Sequence, residues 1–127
     1  MSTIKADTLS NVAGTYSISS ERVSRATAVA WVNFNGTGTV AIRASGNVTS
    51  ITDNGVGDYT VNFTTAMPDV NYCILGSVAG SNSSSAYNSY IAGVNQASPK
   101  STSSVRISSQ QSGTLYDADN ISIGIFR

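Results

Sequence analysis

Histidine is missing from the sequence altogether, and with it the commonest general base and the commonest metal-ligating side chain. Ser-His-Asp and Cys-His nucleophilic sites, and zinc sites built on imidazole, are thereby excluded. Any enzyme chemistry would have to run on carboxylates. Charge is scarce as well: charged residues make up 11% of the chain, against roughly 25% in an average soluble domain, and seven Lys and Arg balance seven Asp and Glu. No basic excess steers the chain to nucleic acid or anionic lipid. Nothing approaches the roughly 18 consecutive apolar residues of a membrane helix. The opening Met1-Ser2-Thr3-Ile4-Lys5-Ala6-Asp7 lacks the apolar core of an export signal. These absences predict a protein made inside a cell, with neither nucleic acid nor membrane as partner. The lone cysteine, Cys73, cannot close an intramolecular disulfide. Flanked by Tyr72, Ile74 and Leu75, and with no nearby cation to stabilise a thiolate, it reads as a small buried hydrophobe.

In place of charge the sequence uses Ser, Thr, Asn and Gly, which favour turns and solvated strand faces over helix interiors. From Ala28 onward, β-branched and aromatic residues recur in short runs separated by Gly, Asn, Asp or Pro, giving about eight candidate strands. Ala28 to Phe34 and Thr39 to Arg43 flank Asn35-Gly36-Thr37-Gly38 as a hairpin, with Trp31, Val40 and Ile42 as core candidates. Asn47 to Thr52 leads into Tyr59-Thr60-Val61-Asn62-Phe63-Thr64, whose strict alternation sends Tyr59, Val61 and Phe63 to one side. Pro68 marks a turn before a longer strand, Val70 to Ala79. Ala86 to Val94, Ser104 to Gln110 and Asn120 to Phe126 complete the set, the last with Ile121, Ile123 and Ile125 in alternation. The pattern predicts an all-β fold, a β-sandwich or jelly-roll-like domain of short antiparallel strands spanning residues 28–127.

Residues 1–27 show no sustained hydrophobic period and read as an extended N-terminal arm for assembly or anchoring. Within it, Ser20 to Ala26 is equally compatible with a helical turn or two, with Ser20 as cap and Glu21 in the first turn. Ile4, Leu9, Arg22 and Arg25 are the arm's candidate partner-binding residues. A second candidate surface lies beside the Ser-rich stretch 80–85, where Tyr87, Asn88 and Tyr90 offer apolar rings and polar tips suited to a sugar receptor.

The carboxylates yield no firm site. Asp53 and Asp58 come close across a turn, as a glycosidase pair would, but the intervening Asn-Gly-Val-Gly is ordinary turn chemistry. The same segment, and Asp117-Ala118-Asp119-Asn120, gather oxygen ligands of the kind Ca²⁺ accepts without the EF-hand spacing. Neither catalytic residues, cofactor nor metal are expected. Five Asn-x-Ser/Thr sequons, at Asn35, Asn47, Asn62, Asn82 and Asn120, are what chance gives in so Asn- and Ser-rich a chain.

The block Ala30-Trp31-Val32-Asn33-Phe34-Asn35-Gly36-Thr37-Gly38-Thr39-Val40-Ala41-Ile42-Arg43 resembles small tail-fibre-like virion structural proteins of bacteriophages, cyanophages included. The likeness runs through Asn47 to Gly55 and Gly57 to Thr64 as far as Tyr72, roughly a third of the chain in one ordered match. Such proteins open much as Met1-Ser2-Thr3-Ile4-Lys5-Ala6-Asp7-Thr8-Leu9 does. They usually carry an apolar residue near Gly46, and a glycine there is expected to loosen the strand start. The resemblance implies a non-enzymatic virion structural protein on the particle exterior, attached through its N-terminal portion. A complete fibre needs more length than 127 residues. A capsid decoration or cement protein fits the size as well, and a carbohydrate- or receptor-binding tip is a further alternative. Expected partners are copies of itself as a dimer or trimer, other phage structural proteins, and a host surface glycan.

Overall fold

Alternation in Asp58–Phe63 puts Tyr59, Val61 and Phe63 in the interior, as the period of two predicts. This strand, β6 in chain order, belongs to one of the two larger antiparallel sheets in a computed structural model that describes residues 6–79, 89–94, 100–111 and 113–127. The first sheet has the order β4-β3-β11-β7, formed by Ala41–Gly46, Ala30–Asn35, Asn120–Phe126 and Cys73–Ala79. In the second, Ser104–Gln111 (β9) pairs with β6, which pairs in turn with Val48–Gly55 (β5). Ser89–Val94 (β8) and the two-residue Thr114–Leu115 (β10) also bond to β9.

The inner faces meet in one core. Val32, Phe34, Ile121, Ile123 and Ile125 of the first sheet face Tyr59, Val61, Val105 and Ile107 of the second, all buried. Each such side chain contributes about 1.5–3 kcal/mol by leaving water. Phe34 and Tyr59 meet edge to face at 5.2 Å between ring centroids, and Phe63 and Tyr72 do so at 5.9 Å. The all-β sandwich is the predicted class, and the predicted hairpin at residues 35–38 joins β3 to β4.

Three expectations about single residues fail. Trp31 is not core: it is 44% exposed, because Ala30, Val32 and Phe34 take the inward phase of β3. Cys73 is exposed rather than buried, since it shares the outward phase of β7 with Leu75 while Tyr72 turns in. The helix forms as Ser20–Ala26 (α1), but its cap is Ser19, whose Oγ accepts from the Arg22 N–H at 3.2 Å.

Residues 6–27 carry more local structure than their composition suggests. Thr8–Ser10 (β1) and Ser17–Ser19 (β2) pair antiparallel, and α1 follows directly, none of its residues buried. Strands of two or three residues are too short to show a period, which is why β1, β2 and β10 escape a pattern search.

Edge strands β4 and β5 carry irregularities rather than Lys or Pro, while edge strand β7 pairs with β11 without a break. Edge strand β5 shifts register at Val48/Ser50 and at Asp53/Gly55, and the β3–β4 pairing shifts at Asn33/Phe34. Such bulges twist an edge away from neighbouring chains.

Candidate binding surface

The two outer faces of the sandwich differ in chemistry. On the second sheet, Asn62 Nδ2 donates to Ser50 Oγ and Thr52 Oγ1 at 3.1 and 2.9 Å, and Asn54 Nδ2 donates to Thr60 Oγ1 at 2.9 Å. That face is a lattice of amides and hydroxyls already bonded to one another. Beside it Arg106 grips Asp58 in two parallel bonds, Nε to Oδ1 at 2.7 Å and the terminal nitrogen to Oδ2 at 2.5 Å.

The outer face of the first sheet is apolar where its strands cross the middle. Register places Gly46, Trp31, Gly124 and Leu75 in one row across β4, β3, β11 and β7. A methyl group built on Gly46 would lie 2.4 Å from Trp31 Nε1, so the indole lies across a strand position that only glycine leaves open. The glycine expected to loosen the strand start is therefore the seat of the tryptophan, and the strand there is covered rather than loosened. Phe126 leans over Gly124, its ring 3.2 Å from where a side chain would begin. Between Trp31 and Leu75, the latter 62% exposed, runs a shallow groove of about 590 Å³. Next to this row, Asn33 Nδ2 donates to Asn120 Oδ1 at 2.6 Å and to Ser122 Oγ at 2.9 Å.

The chain matches no family model, no curated protein and no solved structure.

The residues singled out in the sequence are dispersed. Leu9 lies on β1, 51% exposed, and forms a small cavity with Ala6, Ser20 and Val23. Arg25 pairs within its own helix with Glu21 at 2.5 Å, and both side chains are largely exposed, so the pair adds a few tenths of a kcal/mol to α1. The Arg22 side chain has no ion pair among the described residues. Ile4, Tyr87 and Asn88 lie outside the described residues, and Tyr90 is described only as a backbone partner of Gln110. Asp53 and Asp58 are not a facing pair: Asp53 Oδ1 accepts the Gly55 N–H at 2.9 Å, and Asp58 is engaged by Arg106. No group of three or more acidic or cysteine ligands gathers among the described residues.

Asp117 serves the fold. Its Oδ1 accepts from the Gly57 N–H at 2.7 Å and from the Tyr59 hydroxyl at 2.8 Å, while that hydroxyl also reaches the Gly36 carbonyl at 3.1 Å. Burial pushes the Tyr59 phenol well above its ordinary range, and the bond to the Asp117 carboxylate adds to the shift. Three loops are thus pinned to one buried ring.

At the opposite termini of chain and helix, Asp69 and the C-terminal Arg127 line a cavity with Glu21, Ser24, Arg25 and Asn71. Arg127 Nε donates to Asp69 Oδ1 at 3.1 Å while a terminal nitrogen holds Oδ2, and the Asn71 N–H adds a bond of 2.8 Å. Hydrogen bonding to Arg127 is the main cause that lowers the Asp69 carboxyl to about 2. A depressed carboxyl favours the fold above its ordinary value of 3.8 and loses that contribution as pH falls through about 2. Following the Asp69 carboxyl carbon by NMR in wild type and Arg127→Gln should show the midpoint rising toward 3.8 in the variant. An unchanged midpoint would remove Arg127 as the cause.

Proposed function

We propose that the chain is a structural component of the exterior of a bacteriophage particle, tail-fibre-like, attached through its N-terminal segment and presenting the β-sandwich outward. The observation that carries this reading is the apolar surface of residues 6–27. Val12 is fully exposed, Tyr16 is 79% exposed, and Leu9 and Ile18 are at least a third exposed, on a hairpin and helix with nothing buried in the helix. Single exposed apolar residues are ordinary, but this many on one short segment mark a surface that another protein covers. Other structural proteins of the particle, or neighbouring copies of the chain, are the partners proposed for it. The register shifts at edge strands β4 and β5 make them poor places for strand addition, which supports the segment as an assembly element. The sequence resemblance to tail-fibre-like virion proteins points the same way.

A head-decorating role is the second reading, and the dimensions of the sandwich favour it. Its longest strands have eight residues, about 26 Å, so the domain is a compact cap rather than a spacer that reaches. In either reading, Leu9→Ser, Val12→Ser and Tyr16→Ser combined should abolish co-sedimentation with particles lacking the protein while leaving the β-sheet circular dichroism intact. A chain beginning at Ala28 should behave alike. Full co-sedimentation of both would sink the proposal.

A further inference from the structure

We propose that the outer face of the four-stranded sheet is a platform for a neutral saccharide, stacked on Trp31 and oriented by Asn33 and Asn120. The inference stands apart from the assembly reading, which uses residues 6–27.

A pyranose ring presents a face of C–H bonds with hydroxyls around its rim, and the electron-rich face of an exposed indole complements that face. Trp31 lies across Gly46 with nearly half its surface still open to solvent. The floor beside it is Gly124, and Leu75 and Phe126 extend the apolar surface. A ring stacked on Trp31 therefore meets the apolar side chains of Phe126, which covers Gly124, and of Leu75 along the row. Polar groups fix its orientation. Asn33 spends both amide hydrogens on Asn120 and Ser122, which holds its plane and leaves its Oδ1 as an acceptor with no partner among the described residues. Asn120, just beyond the groove on β11, uses its Oδ1 in the same contact, so its Nδ2 remains an available donor to the next part of the saccharide. A fixed acceptor at the groove and a donor just beyond it suit two sugar hydroxyls, one donating and one accepting.

Two further observations choose the occupant. No charged residue lines the groove, so a sulfated or sialylated glycan would find no cation to pair with. The face is also too small for a stable contact with a second copy. Four strands about 4.8 Å apart, paired over five to seven residues of about 3.3 Å, give a flat footprint of roughly 300–450 Å². A standard protein interface takes about 800 Å² from each partner.

Trp31 is the only tryptophan, so its emission reports on this face alone. The full chain is titrated with cello-, manno- and malto-hexaose, and with a heparin-derived hexasaccharide, by fluorescence and by calorimetry. A saturable change with at least one neutral hexamer is expected. Trp31→Ala should abolish the calorimetric signal, and Asn33→Ala, which keeps the reporter, should weaken binding by about tenfold. Val56→Ser, at an exposed turn elsewhere, should leave it unchanged. No binding of any neutral hexamer up to about 10 mM would overturn the proposal. So would binding of the sulfated probe alone, binding retained in both Trp31→Ala and Asn33→Ala, or emission that shifts with protein concentration in the absence of sugar, the mark of a second copy on this face.

Discussion

Gly57→Ala is expected to destabilise the fold by about 3 kcal/mol or more, with a fall in Tm of about 10 °C or more. Two effects add. Gly57 has a φ of +64°, a conformation that costs other residues about 1–2 kcal/mol. The new methyl would also meet backbone, 2.6 Å from the Tyr116 nitrogen and 2.7 Å from the Ser109 carbonyl oxygen, atoms that cannot swing aside as a side chain can. The Ser109 N–H bonds the Gly57 carbonyl at 2.8 Å, so relieving the clash would pull this junction apart and draw Asp117 off Tyr59. Gly38→Ala is the matched control: its φ is +61°, yet nothing lies within 4 Å of the added carbon. Thermal unfolding of both variants separates backbone conformation from collision. Equal losses in the two would show that Gly57 is constrained by its φ alone.

Asn47→Ala should cost about 3–4 kcal/mol. Asn47 turns the chain from the first sheet to the second with a φ of 55°, which asparagine tolerates better than alanine. Its amide nitrogen donates to the carbonyls of Val29 and Thr65, each at 3.1 Å, and its Oδ1 accepts from the Thr65 N–H at 2.7 Å. One side chain therefore joins the entrance to β3, the β4–β5 corner and the segment after β6. Each bond contributes about 1 kcal/mol, and the left-handed backbone supplies the rest. Asn47→Gly should regain about 1 kcal/mol by relieving the backbone while still lacking the three bonds. Urea unfolding midpoints order the three proteins as wild type, glycine, alanine. Alanine equal to wild type would mean that the corner is held by its flanking strands alone.

Which face a residue occupies was legible wherever a strand was long enough to alternate cleanly. Tyr59, Val61 and Phe63, and likewise Ile121, Ile123 and Ile125, are buried as the pattern requires. Trp31 shows where size misleads. The neighbours Ala30, Val32 and Phe34 form an unbroken apolar phase, Trp31 shares the other with Asn33 and Asn35, and phase rather than bulk decides direction. The same test would have turned Cys73 outward with Leu75. The candidate surface was hidden for a related reason. Trp31, Asn33, Leu75, Asn120 and Phe126 come from three strands far apart in sequence, and only the pairing of β11 between β3 and β7 brings them into adjacent rows. Asn47 carried a faint signal, an asparagine after glycine between two strands, but its reach to Val29 and Thr65 depends on how the sheets stack.

The amide and hydroxyl lattice on the second sheet gives the molecule a particular indifference to its surroundings. Exposed carboxylate–guanidinium contacts weaken as dissolved ions accumulate, because the Debye length shrinks from about 8 Å at physiological ionic strength to about 3 Å at about 1 M. Among the described residues three ion pairs form, and only Arg106 with Asp58 is substantially sheltered. Bonds such as those from Asn62 to Ser50 and Thr52 carry no net charge and have no proton to gain or lose across the ordinary pH range. That face is expected to keep its contacts as salt rises, where the exposed pairs of Arg25 with Glu21 and of Arg127 with Asp69 weaken.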